Sequence, residues 1–387
     1  MIAFVQPFGL MAAGGGPRIL RALLLDRAPP SPCLSVCTKP RAPRHAVVNQ
    51  HVSEVHLPRR PAFGRLDHSR LAGSISHLDQ WLAHRFRRRL LDLCRTRRVQ
   101  AIHAIPHGLE FWHAFQVARE MGIPYILNVH DDLPYNIGDR PYLDEAMGAL
   151  ERVWRQSDER VVISGAMGEE YNRRYGEQPY TVITDGLAGP LPDQPRPQPE
   201  ASLRVYFMGA LHLTYHPNFQ VLVQALERIQ DLHPEWTVSL ASRGSKLPVK
   251  QSHVPLVDLP FAPEDEVRRD AERFDMLYLP LPFGDEYASF TRFSLSTKLV
   301  TYLGMGLPIL YHGPDEAAAS QLLAEGQAAA QVHALDVDAM VTALLDAKAH
   351  ASGLAQRGIE LGKRHFQQDD QHRRFWTLMT STAGVVS

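Results

Sequence analysis

The sequence predicts an α/β protein of two domains, each a parallel sheet built from βαβ units. Short apolar runs alternate with amphipathic segments of about ten to fifteen residues along the first half. A proline-rich stretch, LAGPLPDQPRPQPEAS (187–202), then interrupts the pattern. After it the alternation restarts, and 387 residues are in any case too many for one ordinary core.

The elements follow in order. IAFVQP (2–7) reads as a strand, and a glycine-rich loop leads from it to the helix PRILRALLLD (17–26), with Pro17 suited to a first helical position. CLSV (33–36) is a second strand, and HAVVNQHVSEVHLP (45–58) holds one or two more. A long helical pattern covers 74–97. Strand AIHAIP (101–106), helix 111–122, strand PYILNVH (124–130), helix 142–157, strand 160–165, helix 166–176 and strand YTVIT (180–184) complete the first half. Proline fixes φ and removes a backbone donor, so 187–202 reads as a semi-rigid linker. The second half opens with strand LRVYFMG (203–209) and helix 216–230. Strands 236–242, 254–260 and 274–280, helix 296–305 and strand 307–311 follow, and the remainder is largely helical, ending in DQHRRFWTLM (370–379). Two such halves are expected to leave a cleft at their boundary, with ligands outside the carboxyl ends of the strands.

Composition narrows the function. Apolar content of 44% and charged content of 21% suit a globular protein, and a net charge of −1 gives no global attraction for nucleic acid. Cys33, Cys37 and Cys94 form no disulfide framework and are expected as buried thiols in a reducing cytoplasm. MIAFVQPFG lacks the basic start and long apolar core of a signal peptide, and no run approaches the length of a membrane-spanning helix.

Several loops carry chemistry. Gly14–Gly16 before a helix lets backbone approach a ligand closely where a helix N-terminus attracts anions. The dinucleotide fingerprint is not met, because Ile19 stands at its third glycine and no acid follows at the ribose-binding distance, which disfavours a nicotinamide dehydrogenase. NVHDDLPY (128–135) puts His130, Asp131 and Asp132 at a strand's carboxyl end, where they can donate, accept or orient protons. His103, His107 and His113 lack the spacing of a zinc site, so no metal is expected. ASRGSKLP (241–248) offers Arg243 and Lys246 around Gly244 for phosphate oxygens, or is a solvated loop. In FSLSTKLVTYLGMGLPIL (293–310), Ser296 and Thr297 cap a helix and Lys298 falls in its first turn. A cation there opposes the helix dipole, and becomes sensible if an anion occupies that end. RFRRRLLDLCRTRR (85–98) is either a solvated helix face or a contact with an anionic membrane surface.

These residues, taken in order, resemble the GT-B glycosyltransferases, particularly the retaining family 4 group. GGGPRILRALL looks like that group's glycine loop and helix, and AFQVAREMGIPYILNVHDD like its helix, Gly-Ile-Pro, strand and His. ERVVISGAMGEEYNRRYG, VYFMGALHLTYHPNFQVLVQAL and STKLVTYLGMGLPIL resemble three further segments, with a linker where the family has one. The resemblance implies two Rossmann-like domains facing a cleft. Residues 1–187 would form the acceptor-side domain, 188–202 the linker, 203–365 the nucleotide-sugar domain, and 366–387 a helix crossing back to the first domain. It implies a glycosyltransferase moving a sugar from a nucleotide-sugar donor to a saccharide or lipid-linked acceptor, with retention, without a metal and with no cofactor. The expected setting is cytoplasmic, at the inner face of the membrane if segment 85–98 docks there.

Residue by residue, the resemblance places Gly15 and Gly16 near the donor phosphates or the transferred sugar, and makes His130 the catalytic residue, against the sugar or shaping the acceptor site. Asp131 and Asp132 fall on the acceptor side. Gly209, Arg243, Lys246, Ser296, Thr297 and Lys298 would meet the donor, and Pro260 and Phe261 would frame its base. The family's two glutamates fall on Thr301, the ribose-binding position, and on Phe293, with Glu286 out of register. Two other readings keep this fold: a nucleotide-sugar epimerase, and a catalytically degenerate partner subunit. Arg243→Ala or Lys246→Ala is expected to lower transfer by orders of magnitude without unfolding the protein.

Overall fold

The structure is a computed structural model that describes residues 1–59, 72–137, 143–187, 189, 191–211, 213–270 and 272–384, with the side chains of 72–81 outside the description. The chain divides into two compact units, Met1–Gly186 with Gln368–Ser387, and Leu187–Gln367.

The first unit contains β1 (Ile2–Gln6), α1 (Gly15–Leu24), β2 (Cys33–Cys37), β3 (Val52–His56), α2 (Ala72–Thr96), β4 (Ala101–Ala104) and α3 (Glu110–Met121). It continues with β5 (Tyr125–Val129), α4 (Leu133–Ile137), α5 (Leu143–Gln156), β6 (Glu159–Val162), α6 (Gly165–Tyr175) and β7 (Thr181–Val182). Its seven strands lie in the order β3-β2-β1-β4-β5-β6-β7, and all pair in parallel. Helices on both faces explain why β1, β2 and β5 are buried along their whole length and read as apolar runs. The order reverses between β1 and β4, the switch point at which such sheets bind ligands. Local signals set the helix ends. Gly122 closes α3 in the left-handed conformation at φ 66°, and the Ser164 hydroxyl accepts the Met167 N–H to start α6.

The second unit contains β8 (Ser202–Met208), α7 (His216–Leu232), β9 (Thr237–Arg243), β10 (Leu256–Leu259), α8 (Glu264–Asp270), β11 (Met276–Pro280), α9 (Ala288–Phe293) and α10 (Thr297–Leu303). It ends with β12 (Ile309–His312), α11 (Ala318–Glu325), β13 (Ala329–Val332), α12 (Val337–Ala349) and α13 (Ala351–His365). The sheet order is β10-β9-β8-β11-β12-β13, again all parallel, with its switch point between β8 and β11. One core lies under α7 and α12 and another under α10 and α13.

The last helix, α14 (Gln368–Thr382), belongs to the first unit. Phe375 packs on Phe4, and the Trp376 indole N–H donates to the Leu23 carbonyl at 2.8 Å. The proline-rich segment differs from the expected spacer. Its described residues are strapped onto the second unit: Leu191 and Pro192 lie against Gly304 and Gly306, and Arg196 donates to the Met305 carbonyl at 3.0 Å. Residues 188 and 190 of that segment lie outside the described residues. The C-terminal third also contains β13 where helix was expected, because alanine-rich AAQV carries little β signal and is recruited by pairing with β12.

Candidate functional site

The positive charge of interest lies at the switch point of the second sheet. β8 is followed by Gly209, whose φ of 102° favours glycine. Its N–H donates to the Arg243 carbonyl at 2.9 Å, and its carbonyl accepts from the Ser245 hydroxyl at 2.9 Å, lacing the loops after β8 and β9 together. Gly209 must also be small: a Cβ there would lie 2.9 Å from Cε of Lys298. Lys298 stands in the first turn of α10, where Ser296 is the N-cap and its Oγ accepts the Lys298 N–H at 3.3 Å. The Lys298 ammonium sits 5.6 Å from the Phe207 ring centroid and 5.5 Å from that of Tyr215. Among the described residues no carboxylate forms an ion pair with it. Burial pushes its pKa down from 10.5 to about 8. Among the described residues the ammonium thus has no carboxylate counter-charge, which suits a bound anion. Tyr215 ends a 3-10 turn (Leu213–Tyr215) that runs directly into the N-terminus of α7, whose second residue, Pro217, has no N–H. Asn218 holds this end in place by donating to the Leu281 and His312 carbonyls at 2.9 and 3.0 Å.

Other expected donor residues fall differently. Arg243 is the last residue of β9, not part of an open loop, and only 4% of it is exposed. Its guanidinium forks onto Asp270, with Nη2 2.9 Å from Oδ1, and also donates to the Pro260 carbonyl at 2.9 Å. Tyr206 donates to the same carboxylate at 2.8 Å. A buried Arg–Asp fork of this kind fixes β9, β10 and α8 to one another. Sequence reasoning missed Asp270 because α8 is too short and too charged to show a helical apolar stripe. Lys246 is exposed in the loop beyond Gly244. Phe261 follows β10 with 82% of its surface exposed, its ring edge next to Gly244. Thr301 is 1% exposed on the inner face of α10, and its hydroxyl donates to the Thr297 carbonyl at 3.4 Å. The neighbouring Tyr302 hydroxyl accepts the Met208 N–H at 3.0 Å, tying α10 to β8.

In the first unit, loops after β1, β4 and β5 converge. α1 opens at Gly15 after Gly14, whose φ is 122°, with no side-chain cap. Gly16 lies against two rings: a Cβ there would be 2.9 Å from the Phe8 ring and 3.6 Å from Nδ1 of His130. His130 is 4% exposed, and neither ring nitrogen has a hydrogen-bond partner among the described residues. Burial holds its pKa well below the usual histidine range, with nearby His107 and His103 pushing the same way, so the ring is neutral. His107 stands edge-on to it at 6.3 Å and lies 3.7 Å from Asp131. The structure brings Gly16, His130 and Asp131 together with His107, which the sequence did not single out for this role.

Asp132 points elsewhere. It is fully buried, accepts both contacts from Arg174 at 3.0 Å and one from the Tyr171 hydroxyl at 3.2 Å, and so anchors the loop to α6. His103 sits inside the sheet with Nε2 2.9 Å from the Asn128 amide nitrogen, and His113 packs edge-on against Phe86 from α3. Among the described residues no group of three potential metal ligands converges, and no helix is long and apolar enough to cross a membrane.

No family model and no curated protein matches the sequence. Solved structures do match in fold. Anabaena HepE in complex with UDP superposes with a TM-score of 0.66 at 13% identity, over 98% of this chain and 99% of that one. The alpha,alpha-trehalose 6-phosphate synthase of Burkholderia multivorans gives 0.65 at 12% identity, over 99% and 97%. The UDP-forming trehalose-phosphate synthase of Burkholderia xenovorans, in complex with glucose-6-phosphate, gives 0.65 at 12% identity, over 98% and 99%. Identity this low speaks to architecture alone. With two parallel α/β units and full-length superposition, the chain has the GT-B fold.

Proposed function

We propose that this protein is a glycosyltransferase that moves a sugar from a nucleoside-diphosphate sugar to a saccharide or lipid-linked acceptor. The second unit binds the donor and the first binds the acceptor. The observation that carries this reading is Lys298: a half-buried ammonium at the switch point of the second sheet, packed against Gly209 and the Phe207 and Tyr215 rings, with no carboxylate partner among the described residues. Negative charge grows on the diphosphate as it leaves, and a preorganised cation stabilises that charge. Lys298 would supply positive charge at the leaving phosphate, which supports transfer without a divalent metal. Phe261 offers an exposed flat ring for the base, with Gly244 leaving room beside it. On the first unit, the unpartnered nitrogens of His130 suit sugar hydroxyls. Two parallels in fold are HepE, whose structure contains UDP, and trehalose-phosphate synthase, whose structure contains glucose-6-phosphate. We also propose retention of anomeric configuration, as in family 4, and a role in polysaccharide assembly.

A thermal-shift screen of nucleoside diphosphates and sugar nucleotides, with and without a chelator, tests the reading, because a ligand of the folded state raises its apparent stability. A clear shift with one nucleoside diphosphate, kept in the chelator and lost in Lys298→Met, is expected. No shift with any of them would sink the donor site. The buried Thr301, in the place of the family's glutamate, favours one runner-up, a degenerate partner subunit. Binding without hydrolysis or transfer for any donor would support that instead.

A further inference from the structure

We propose that the C-terminal half of α2 is a docking face for a membrane surface rich in anionic phospholipid. From Arg85 to Arg98 the chain carries seven arginines and a single acid, Asp92, while its net charge is −1, so the positive charge is concentrated here. Phe86, Leu90, Leu91 and Cys94 are buried in the first unit. Arg85, Arg88, Arg89, Arg95, Arg97 and Arg98 are exposed. The spacings of three and four residues set Arg85, Arg88 and Arg89 on one outward stripe. Arg95 meets Glu120 at 3.8 Å, an exposed pair too weak to neutralise the row.

Beside the stripe, between α2 and α3, lies a hollow of about 160 Å³ lined by His84, Arg87, Trp112, His113 and Gln116. The Trp112 ring is stacked on Phe115 at 5.7 Å, and Arg152 lies over it at 4.9 Å. Arginine forks suit phosphodiester oxygens, and a half-buried tryptophan beside them suits the headgroup layer of a bilayer. The Trp112 ring is already occupied by Phe115 and Arg152 and is not free to stack on a base, which favours a membrane over a nucleic acid. The apolar side of α2 is already committed to the core, so the helix cannot sink among acyl chains as a free amphipathic helix does. The contact is therefore electrostatic, confined to the headgroups, and screened within about 10 Å of the surface at about 0.1 M salt.

The test is sedimentation of the full-length protein with vesicles of phosphatidylcholine alone or mixed equally with phosphatidylglycerol. Binding to the mixed vesicles at about 50 mM salt is expected, with release at about 500 mM and none to phosphatidylcholine. Each arginine near an anionic surface is worth about fivefold in partitioning, so Arg88→Glu with Arg89→Glu should weaken binding at least about 25-fold. The milder pair Arg88→Gln with Arg89→Gln should move the same way if the first variant does not fold. The response to nucleoside diphosphates should stay at the wild-type level in both variants, so this proposal fails or stands apart from the donor-site reading. Absence of binding to the mixed vesicles, or equal binding by the charge-reversed pair, overturns it. Displacement from the vesicles by an equal phosphate concentration of duplex DNA would also overturn it, because the face would then read polyanions generally.

Discussion

Lys298→Met isolates the donor-site argument, because methionine retains an unbranched stem against Gly209 and removes the charge. Holding the ammonium at about 8 instead of 10.5 corresponds to about 3 kcal/mol in favour of its neutral form. The desolvation that causes this also strengthens attraction to an arriving phosphate. At ~4 Å and an effective dielectric constant of about 20, two unit charges gain about 4 kcal/mol. The variant should therefore bind the nucleoside diphosphate that stabilises the wild type about 10²- to 10³-fold more weakly by titration calorimetry. Its stability should move the opposite way. The unfolded chain holds the Lys298 proton up to about 10.5 and the folded chain only to about 8, so the charge destabilises the fold at neutral pH and the penalty fades as pH rises between those values. Urea unfolding near neutral pH should show the variant more stable by up to about 3 kcal/mol, and the gain should vanish above about pH 10.5. Wild-type affinity for that nucleoside diphosphate should be level below pH 8 and fall about tenfold per pH unit above it, since only the ammonium form attracts the diphosphate. Unchanged affinity for that nucleoside diphosphate in the variant, or lower stability at neutral pH, would refute the reasoning.

The remaining expectations concern groups whose surroundings are equally specific. Arg243→Ala should destabilise the protein by about 3–5 kcal/mol in urea unfolding, because it strands the buried Asp270 carboxylate. This replaces the sequence-based expectation that the substitution spares the fold. Asp132→Ala should cost less, about 1–3 kcal/mol, because it removes the buried acceptor of the Tyr171 hydroxyl while Arg174 keeps its ion pair with Glu170, whatever its effect on transfer. Gly16→Ala forces the Phe8 ring to give way at about 1–3 kcal/mol, and should lower transfer while leaving nucleoside-diphosphate affinity, read by calorimetry, at its wild-type value. His130→Phe keeps the ring shape and removes two buried nitrogens that have no partner. Chemical denaturation should show stability equal to or above wild type, while transfer falls at least about 10²-fold if those nitrogens meet the sugar.

The sequence by itself determined the class of fold and most of its order. Apolar runs such as IAFVQ and YILNV are legible because strands of a parallel sheet are buried on both faces. Glycine loops and capping serines mark helix starts through local chemistry that needs no distant partner, and Lys298 stood out by the same local logic, as a cation at the wrong end of a helix. What tertiary structure decided was which polar groups are already satisfied. Arg243 and Asp132 look like site residues in the sequence, yet each is engaged by a partner 27 and 42 positions away, Asp270 and Arg174. His130 looks no different from its neighbours in the sequence, yet it alone among His130, Asp131 and Asp132 is buried with both polar atoms unpartnered. The expected spacer became a strap for a related reason: Leu191 and Pro192 found glycine surfaces at Gly304 and Gly306 that only folding creates. Local sequence specifies where an element starts and which face is apolar. Whether a charge is free to meet a ligand depends on residues far along the chain, and burial makes that difference worth kilocalories.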